Sequence, residues 1–90
     1  MYRFEYDESK NASNQNKHGI DFLEAQRLWN DPDLVEIQTR SDTEPRFLII
    51  ARISEKHWSA VVTYRDENIR IISVRRSRKS EVELYESARL

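Results

Sequence analysis

The C-terminal part of the chain holds a dense group of side chains that could bind an anion. Four cations occupy five positions, and a carboxylate and a phenol follow: Arg75, Arg76, Arg78, Lys79, Glu81 and Tyr85. Four like charges this close repel one another unless a bound anion or nearby carboxylates neutralise them. A local basic field can hold a polyanion even on a chain of net charge −1. This group is therefore the first candidate for a functional site.

The group lies where a strand is expected to give way to a helix. A β-branched run predicts a strand over 69–76, whose period of two sends Arg75 and Arg76 to opposite faces. The faces are then Ile71, Ser73 and Arg75 on one side and Ile72, Val74 and Arg76 on the other. Ser77 is a candidate N-cap. Helical spacing after it places four residues on one side of the helix: Arg78, Glu81, Val82 and Tyr85.

Hydrophobic periodicity and turn residues divide the rest of the chain into short elements. Strands are predicted at 3–6, 34–38, 46–53 and 57–65, and helices at 8–17 and from Phe22 to about Trp29. The turn at 66–68 is expected to hold Asn68 at positive φ. The order β-α-α-β-β-β-β-α predicts one α+β domain over residues 1–90. It has a mostly antiparallel sheet of four to five strands, two N-terminal helices and one C-terminal helix.

The first helix is unusual because it is almost entirely polar. Ala12 is its only apolar residue, so the helix is expected to pack weakly along a short edge of the sheet. Its end is better defined. Gly19, the only glycine in the chain, follows Lys17 and His18 and fits a left-handed position after a cationic last turn.

Composition argues against several classes of protein. Without cysteine there are neither disulfides nor thiolate metal sites, and no spacing of His, Asp and Glu resembles a metal site. No apolar run reaches the roughly 20 residues of a membrane span, and the first residues do not resemble a signal peptide. These features predict a cytoplasmic protein without metal, cofactor or membrane contact. The charge is uneven, since residues 1–45 carry 5 Lys or Arg against 10 Asp or Glu, and residues 46–90 carry 10 against 6.

These residues, in this order, resemble the BrnT family of type II toxins. The resemblance rests on Lys17-His18-Gly19, Phe22-Leu23-Glu24-Ala25, Asp31-Pro32, Thr63-Tyr64-Arg65, the strand from Ile69 to Arg76, Glu81 and Tyr85. It covers nearly the whole chain. The sequence departs from the family pattern at Ala51, where a glycine is usual, and at Ser77 and Arg78, which replace a usual Ala-Thr.

The resemblance implies a RelE-like fold and a metal-independent endoribonuclease that cleaves mRNA and inhibits translation. It also implies neutralisation by a cognate antitoxin, a small protein with a ribbon-helix-helix DNA-binding part. Any contact with DNA would then be indirect, through the antitoxin. The implied chemistry uses no cofactor.

Metal-free RNA cleavage needs three kinds of protein group. A base takes the proton of the attacking 2′-hydroxyl, cationic donors stabilise charge on the phosphoryl oxygens, and an acid protonates the leaving 5′-oxygen. The planar fork of arginine matches two phosphate oxygens, so Arg65 and Arg75, near the ends of adjacent strands, are predicted to clamp the phosphate. Strand ends that run antiparallel could instead place the two arginines apart. The other catalytic candidates are Lys17, His18, Glu81 and Tyr85. The residues expected to bind the RNA are Arg46, Arg76, Arg78 and Lys79.

The cationic candidates also have purely structural interpretations. Arg65 could bond to an acid of its own hairpin, and Arg75 and Arg76 could be exposed strand-end cations. Lys17 and His18 could serve only the end of their helix. Nothing in the sequence places that helix end near Arg75.

The remaining candidates are equally open. Glu81 could be the base, or it could orient Arg75 or Arg78 as an ion-pair partner. Tyr85 could stack on a base or donate to a phosphate, or it could anchor the last helix. His57 is expected to be a surface residue beside a turn. Two other functions fit the same residues: a non-catalytic module that binds RNA or an acidic protein partner, and a purely structural interaction domain.

Overall fold

A computed structural model describes residues 2–89 and shows a small α+β domain. Three helices pack on a five-stranded sheet. The strands are β1 (Arg3–Glu5), β2 (Val35–Thr39), β3 (Arg46–Ile53), β4 (Lys56–Arg65) and β5 (Asn68–Arg76). The helices are α1 (Glu8–His18), α2 (Phe22–Ala25), which a 3-10 segment (Gln26–Asn30) extends, and α3 (Lys79–Ala88). The predicted fold class and element order are confirmed.

The sheet is mixed, with strand order β1-β5-β4-β3-β2. β1 runs parallel to β5, and every other neighbouring pair is antiparallel. β1 is short and pairs only with the first residues of β5, from Asn68 to Arg70. The outer edge of β5 beyond Arg70 therefore needs another partner for its backbone groups.

Helix α1 supplies that partner at Val74 through the side chain of Asn14. Asn14 is buried; its Nδ2 donates to the carbonyls of Val74 and Ile20, each at 2.9 Å, and its Oδ1 accepts from the N–H of Val74 at 3.0 Å. Asn11 accepts from the N–H of Phe22 at 2.6 Å. The expected weak packing of this polar helix is therefore wrong, because its amide side chains replace apolar contacts with hydrogen bonds to buried backbone.

The main core lies on one face of the sheet, called here the core face, beneath α2 and its 3-10 extension. It combines helix-layer residues with alternate residues of the strands: Ile20, Phe22, Ala25, Leu28, Ile49, Ala51, Ile53, Trp58, Ala60, Val62, Ile69, Ile71 and Val74. Trp58, Ala60 and Val62 share this face, as their alternation predicts. Ala51 is fully buried opposite Trp58 in an unbroken β3, so its methyl group belongs to the core.

A β-bulge at Ile72 changes the predicted faces of β5. Val61 pairs with Ser73 while Val62 pairs with Ile71, so Ile72 has no partner in β4. Ile71 consequently joins Val74 on the core face, and its predicted place beside Ser73 is wrong. Beyond the bulge the alternation holds, and Ser73 and Arg75 occupy the opposite face, called here the α3 face.

Two local signals were assigned to neighbouring residues in error. Positive φ in the β4–β5 turn falls on Asp66, at 55°, and not on Asn68, which is the first residue of β5. Arg78 and not Ser77 is the N-cap of α3. Ser77 instead extends the strand pairing, since its N–H donates to the carbonyl of His57 at 3.0 Å.

Candidate active site

The centre of the candidate site is a carboxylate that fastens the start of α3 to the sheet. Glu81 accepts hydrogen bonds from both terminal nitrogens of Arg75, each at 2.8 Å. The same carboxylate accepts from Ser59 Oγ at 2.9 Å and from the N–H of Arg78 at 2.8 Å. Ser59 is the register partner of Arg75 in β4. Strand pairing and the first turn of α3 thus fix the guanidinium in one orientation.

These contacts determine the protonation state of Glu81. The hydrogen bond from Arg75 lowers the pKa of the carboxyl most, burial opposes it, and the bonds from Arg78 and Ser59 lower it further, from 4.5 to about 2. The hydrogen bond that Arg75 donates to Glu81 in turn raises the pKa of Arg75 against the effect of burial. A carboxylate this acidic is a weak base near neutral pH. The geometry therefore favours Glu81 as the group that orients Arg75.

Tyr85 anchors α3 and is almost completely buried, at 1% exposure. Its hydroxyl donates to Asp31 Oδ2 at 2.6 Å, and the same oxygen accepts from the N–H of Arg52 at 2.9 Å. Burial and the bond to Asp31 raise the pKa of the phenol to about 12. Burial also raises the pKa of Asp31, but hydrogen bonds from Tyr85 and from backbone amides reverse the effect and lower it overall. A ring enclosed in this way is not accessible for stacking on a base.

His57, expected to be a surface residue beside a turn, is half-buried and makes two contacts with α3. Its ring packs edge-on against the ring of Tyr85, with centroids 5.1 Å apart, and its Nε2 lies 2.8 Å from Glu86 Oε2. The contact joins β4 to a helix 29 positions later. No local sequence signal could have revealed it, because it exists only once α3 has docked on the sheet.

The predicted pair of clamping arginines is not assembled. Ser59 is paired with Arg75 near one end of β4, whereas Arg65 is paired with Asn68 at the other end. These positions are six residue steps apart along the strand, which is roughly 20 Å. Arg65 forms an ion pair with Glu44 at 3.6 Å and not with the acids of its own hairpin. Antiparallel pairing is the reason that the two arginines lie apart.

The four residues expected to bind RNA are also dispersed. Arg76 lies on the core face, over the ring of Trp58 at 5.5 Å, and so points away from Arg75 as its alternation predicts. Arg78 and Lys79 are exposed at the start of α3. Arg46 is half-buried, and its Nε has no hydrogen-bond partner among the described residues.

The structure places Lys17 and His18 beside β5. A pocket of about 200 Å³ lies between α1 and the bulged part of this strand. Its lining consists of Lys10, Ser13, Asn14, Lys17, His18, Ile72 and Ser73. Ser73 precedes Arg75 by two residues on the same face, a step of roughly 7 Å. The helix end thus lies beside the strand that carries Arg75, a relation that the sequence left open. Lys10 is a cation that the sequence analysis did not single out.

A row of partly exposed residues crosses the α3 face next to this pocket. Strand register aligns Ile37, Leu48, Val61 and Ser73 on four successive strands, and all four are half-buried. The neighbouring row on one side holds Ser59 and Arg75, under α3, and the row on the other side holds Thr63 and Arg70. This open row offers an extended ligand a path from the edge of β2 to the basic pocket.

Among the described residues, no group of three or more His, Cys, Asp or Glu side chains could hold a metal ion. None of the helices within residues 2–89 is long and apolar enough to cross a membrane.

Comparison with known proteins identifies the family to which this site belongs. No curated protein matches the chain. Residues 6–81 match the family described as ribonuclease toxin, BrnT, of type II toxin–antitoxin system. The matched segment contains the pocket between α1 and β5, the open row, Arg75 and Glu81, which is its last residue. Because the match spans most of its length, this chain belongs to the BrnT family of type II ribonuclease toxins.

Proposed function

We propose that this BrnT-family protein is a metal-independent endoribonuclease of the cytoplasm that cleaves mRNA by attack of the substrate's own 2′-hydroxyl. The proposal is supported by one observation: Ser73 lines a pocket together with His18 and Lys17, and the oriented Arg75 lies two residues farther along the same face of β5. A phosphodiester lying over Ser73 would be within reach of both groups.

Arg75 is assigned the stabilisation of charge on the phosphoryl oxygens. Among the described residues, Glu81 and the carbonyl of Arg76 take three of its five N–H donors, which leaves two for a phosphate. Glu81 orients the guanidinium before the RNA arrives, so little reorganisation is needed in the transition state. Arg46, Arg78 and Lys79 would contact the RNA farther from the cleaved bond.

His18 is assigned the protonation of the leaving 5′-oxygen, because imidazole is the side chain best suited to proton transfer near neutral pH. Since Glu81 is engaged by Arg75, the proton of the attacking 2′-hydroxyl would pass to solvent water. Lys17, the preceding residue, would contact a phosphate oxygen. Tyr85 and Arg65 are omitted from this assignment, since the first is enclosed and the second lies at the other end of β4.

Type II toxins have an antitoxin partner, and we propose that here it is a ribbon-helix-helix protein, as the family resemblance implies. The open row and the basic pocket would be unavailable to RNA if the antitoxin covered them. Contact with DNA would be made by the antitoxin alone.

Incubation of the purified protein with an end-labelled mRNA in EDTA tests this function. We expect cleavage that survives chelation and products that carry a 2′,3′-cyclic phosphate or its hydrolysis product. Arg75→Ala should lower the rate about 10²–10³-fold, while Arg27→Ala, which removes an exposed arginine of the helix layer, should leave it unchanged. Arg75→Lys should recover only part of the rate, because an ammonium group cannot make a two-pronged contact.

Melting temperatures must accompany these rates, because the ion pair with Glu81 means that Arg75→Ala also lowers stability. Cleavage that stops in EDTA and returns with magnesium would contradict the mechanism. RNA binding without any cleavage would instead support a non-catalytic module. The low basicity of Glu81 is also consistent with that alternative, because it leaves the site without a strong base.

A further inference from the structure

The pocket between α1 and β5 has an unusually uniform charge. Lys10, Lys17 and His18 line it together with the hydroxyl-bearing Ser13 and Ser73, and none of its described lining residues is acidic. The chain has 16 acidic residues, so their absence from a pocket that gathers three basic groups is a distinctive feature. An anion in the pocket would be attracted by the two lysines without an opposing carboxylate in the lining.

Helix geometry explains how the two lysines come together. They are seven residues apart, which is two turns of α1 and about 10 Å along its axis, so they project from the same side of the helix. Asn14 lies between them and is bonded to Val74, which turns this side of α1 toward β5. Asn11, on the other flank, is bonded to the helix layer at Phe22. The lysines therefore lie on the flank away from the core.

We propose that this pocket is a phosphate subsite that holds a phosphodiester of single-stranded RNA adjacent to the cleaved one, with Lys10 and Lys17 as its cationic ligands. The inference rests on the proposed function and extends it to a residue outside the assigned catalytic group. The location of the pocket supports the assignment, since Ser73, which lines it, lies two residues from Arg75 along β5. Consecutive phosphates of one strand could thus meet the pocket and the arginine in turn.

The test measures binding without cleavage. An octamer of 2′-O-methyl RNA lacks the nucleophile, and its affinity for the full chain can be followed by fluorescence anisotropy over a range of salt concentrations. Lys10→Gln should weaken binding for all sequences alike and should lower the slope of log K against log salt by about 0.7, the value for one phosphate on a single strand. Lys56→Gln, an exposed lysine on the β3–β4 hairpin, is the matched control and should change neither quantity.

A second arm distinguishes RNA from free phosphate. Inorganic tripolyphosphate should compete with the octamer and should shift the amide resonances of Ser13 and Ser73 in the wild-type protein but not in Lys10→Gln. If Lys10→Gln behaves like Lys56→Gln in both arms, the subsite does not exist. If only tripolyphosphate binding depends on Lys10, the pocket takes free phosphates and the assignment to RNA is wrong.

These outcomes are separable from those of the proposed function. Intact cleavage with no effect of Lys10→Gln on octamer binding overturns the subsite alone. A clear effect of Lys10→Gln in a protein that never cleaves RNA overturns the proposed enzyme and leaves an RNA-binding pocket.

Discussion

Replacement of Glu81 by glutamine tests the ion pair on which the candidate site depends. Glutamine keeps the volume and one acceptor oxygen but loses the charge that meets Arg75. The lowering of the Glu81 pKa from 4.5 to about 2 corresponds to roughly 3 kcal/mol of preferential stabilisation of the carboxylate in the folded state. Glu81 is 12% exposed and Arg75 28%, so solvent screens part of this energy. We expect Glu81→Gln to cost about 2 kcal/mol, or about 8–16 °C in melting temperature for a domain of this size.

The sign of the pH dependence follows from the same contact. Because folding lowers the pKa of Glu81, the stabilisation is fully present above the unfolded value near 4.5 and is lost as pH falls toward about 2. The wild-type protein should therefore lose this contribution between those pH values. Glu81→Gln should lack it, so that the difference between the two proteins shrinks as pH falls.

The assay is urea unfolding at neutral pH and near pH 3, with Glu83→Gln as the matched control. Glu83 is exposed on the same helix, and its replacement should change stability little. Cleavage rates add a second readout. If Glu81 only orients Arg75, Glu81→Gln should lower the rate without changing the shape of the pH–rate profile. If Glu81 is a general base, its replacement should remove the acid limb of that profile. Equal stability of wild type and Glu81→Gln at neutral pH would refute the structural reasoning.

Two further substitutions address the supports of the site. Asn14→Ala leaves the buried N–H and carbonyl of Val74 without partners and should cost about 3–5 kcal/mol of unfolding free energy. Urea unfolding measures this cost, with the exposed Asn16→Ala as a control that should cost far less. A small loss for Asn14→Ala would show that Asn14 does not hold the edge of β5. Tyr85→Phe removes one hydrogen bond to Asp31 and should cost about 1–2 kcal/mol while RNA cleavage, assayed well below the melting temperature, stays unchanged. A large drop in cleavage for this variant would mean that the phenol acts on RNA after all.

Much of the fold could be read from the sequence because its signals are local. The alternation from Trp58 to Val62, the capped helix start at Asp21 and the left-handed Gly19 each depend on a few neighbouring residues, and each has the expected form. The bulge at Ile72 has no such signal, since a run of β-branched residues predicts a strand whether or not it contains one extra residue. It emerges only from the register between β4 and β5.

The site was less predictable because its contacts join distant parts of the chain. The strand-to-helix junction did mark Arg75 and Glu81, whose pairing across six positions depends on where α3 begins. The prediction for Arg65 failed because Arg65 and Arg75 were assigned only to adjacent strands. That assignment does not say whether the two residues lie at the same end of the sheet. Lys10 was missed for a similar reason, as its relation to Ser73 exists only when α1 lies along β5.

The contact of Asn14 with β5 also determines where another chain can join this sheet. A carboxamide carries the donor and the acceptor of a peptide group, so Asn14 occupies the Val74 position on the edge of β5 much as one residue of a sixth strand would. β1 occupies only the part of that edge from Asn68 to Arg70. The two terminal strands, β1 and β2, each have an outer edge without a strand partner among the described residues. Strand addition, whether by a partner protein or in aggregation, is therefore favoured at β2, which has five residues, over β1, which has three.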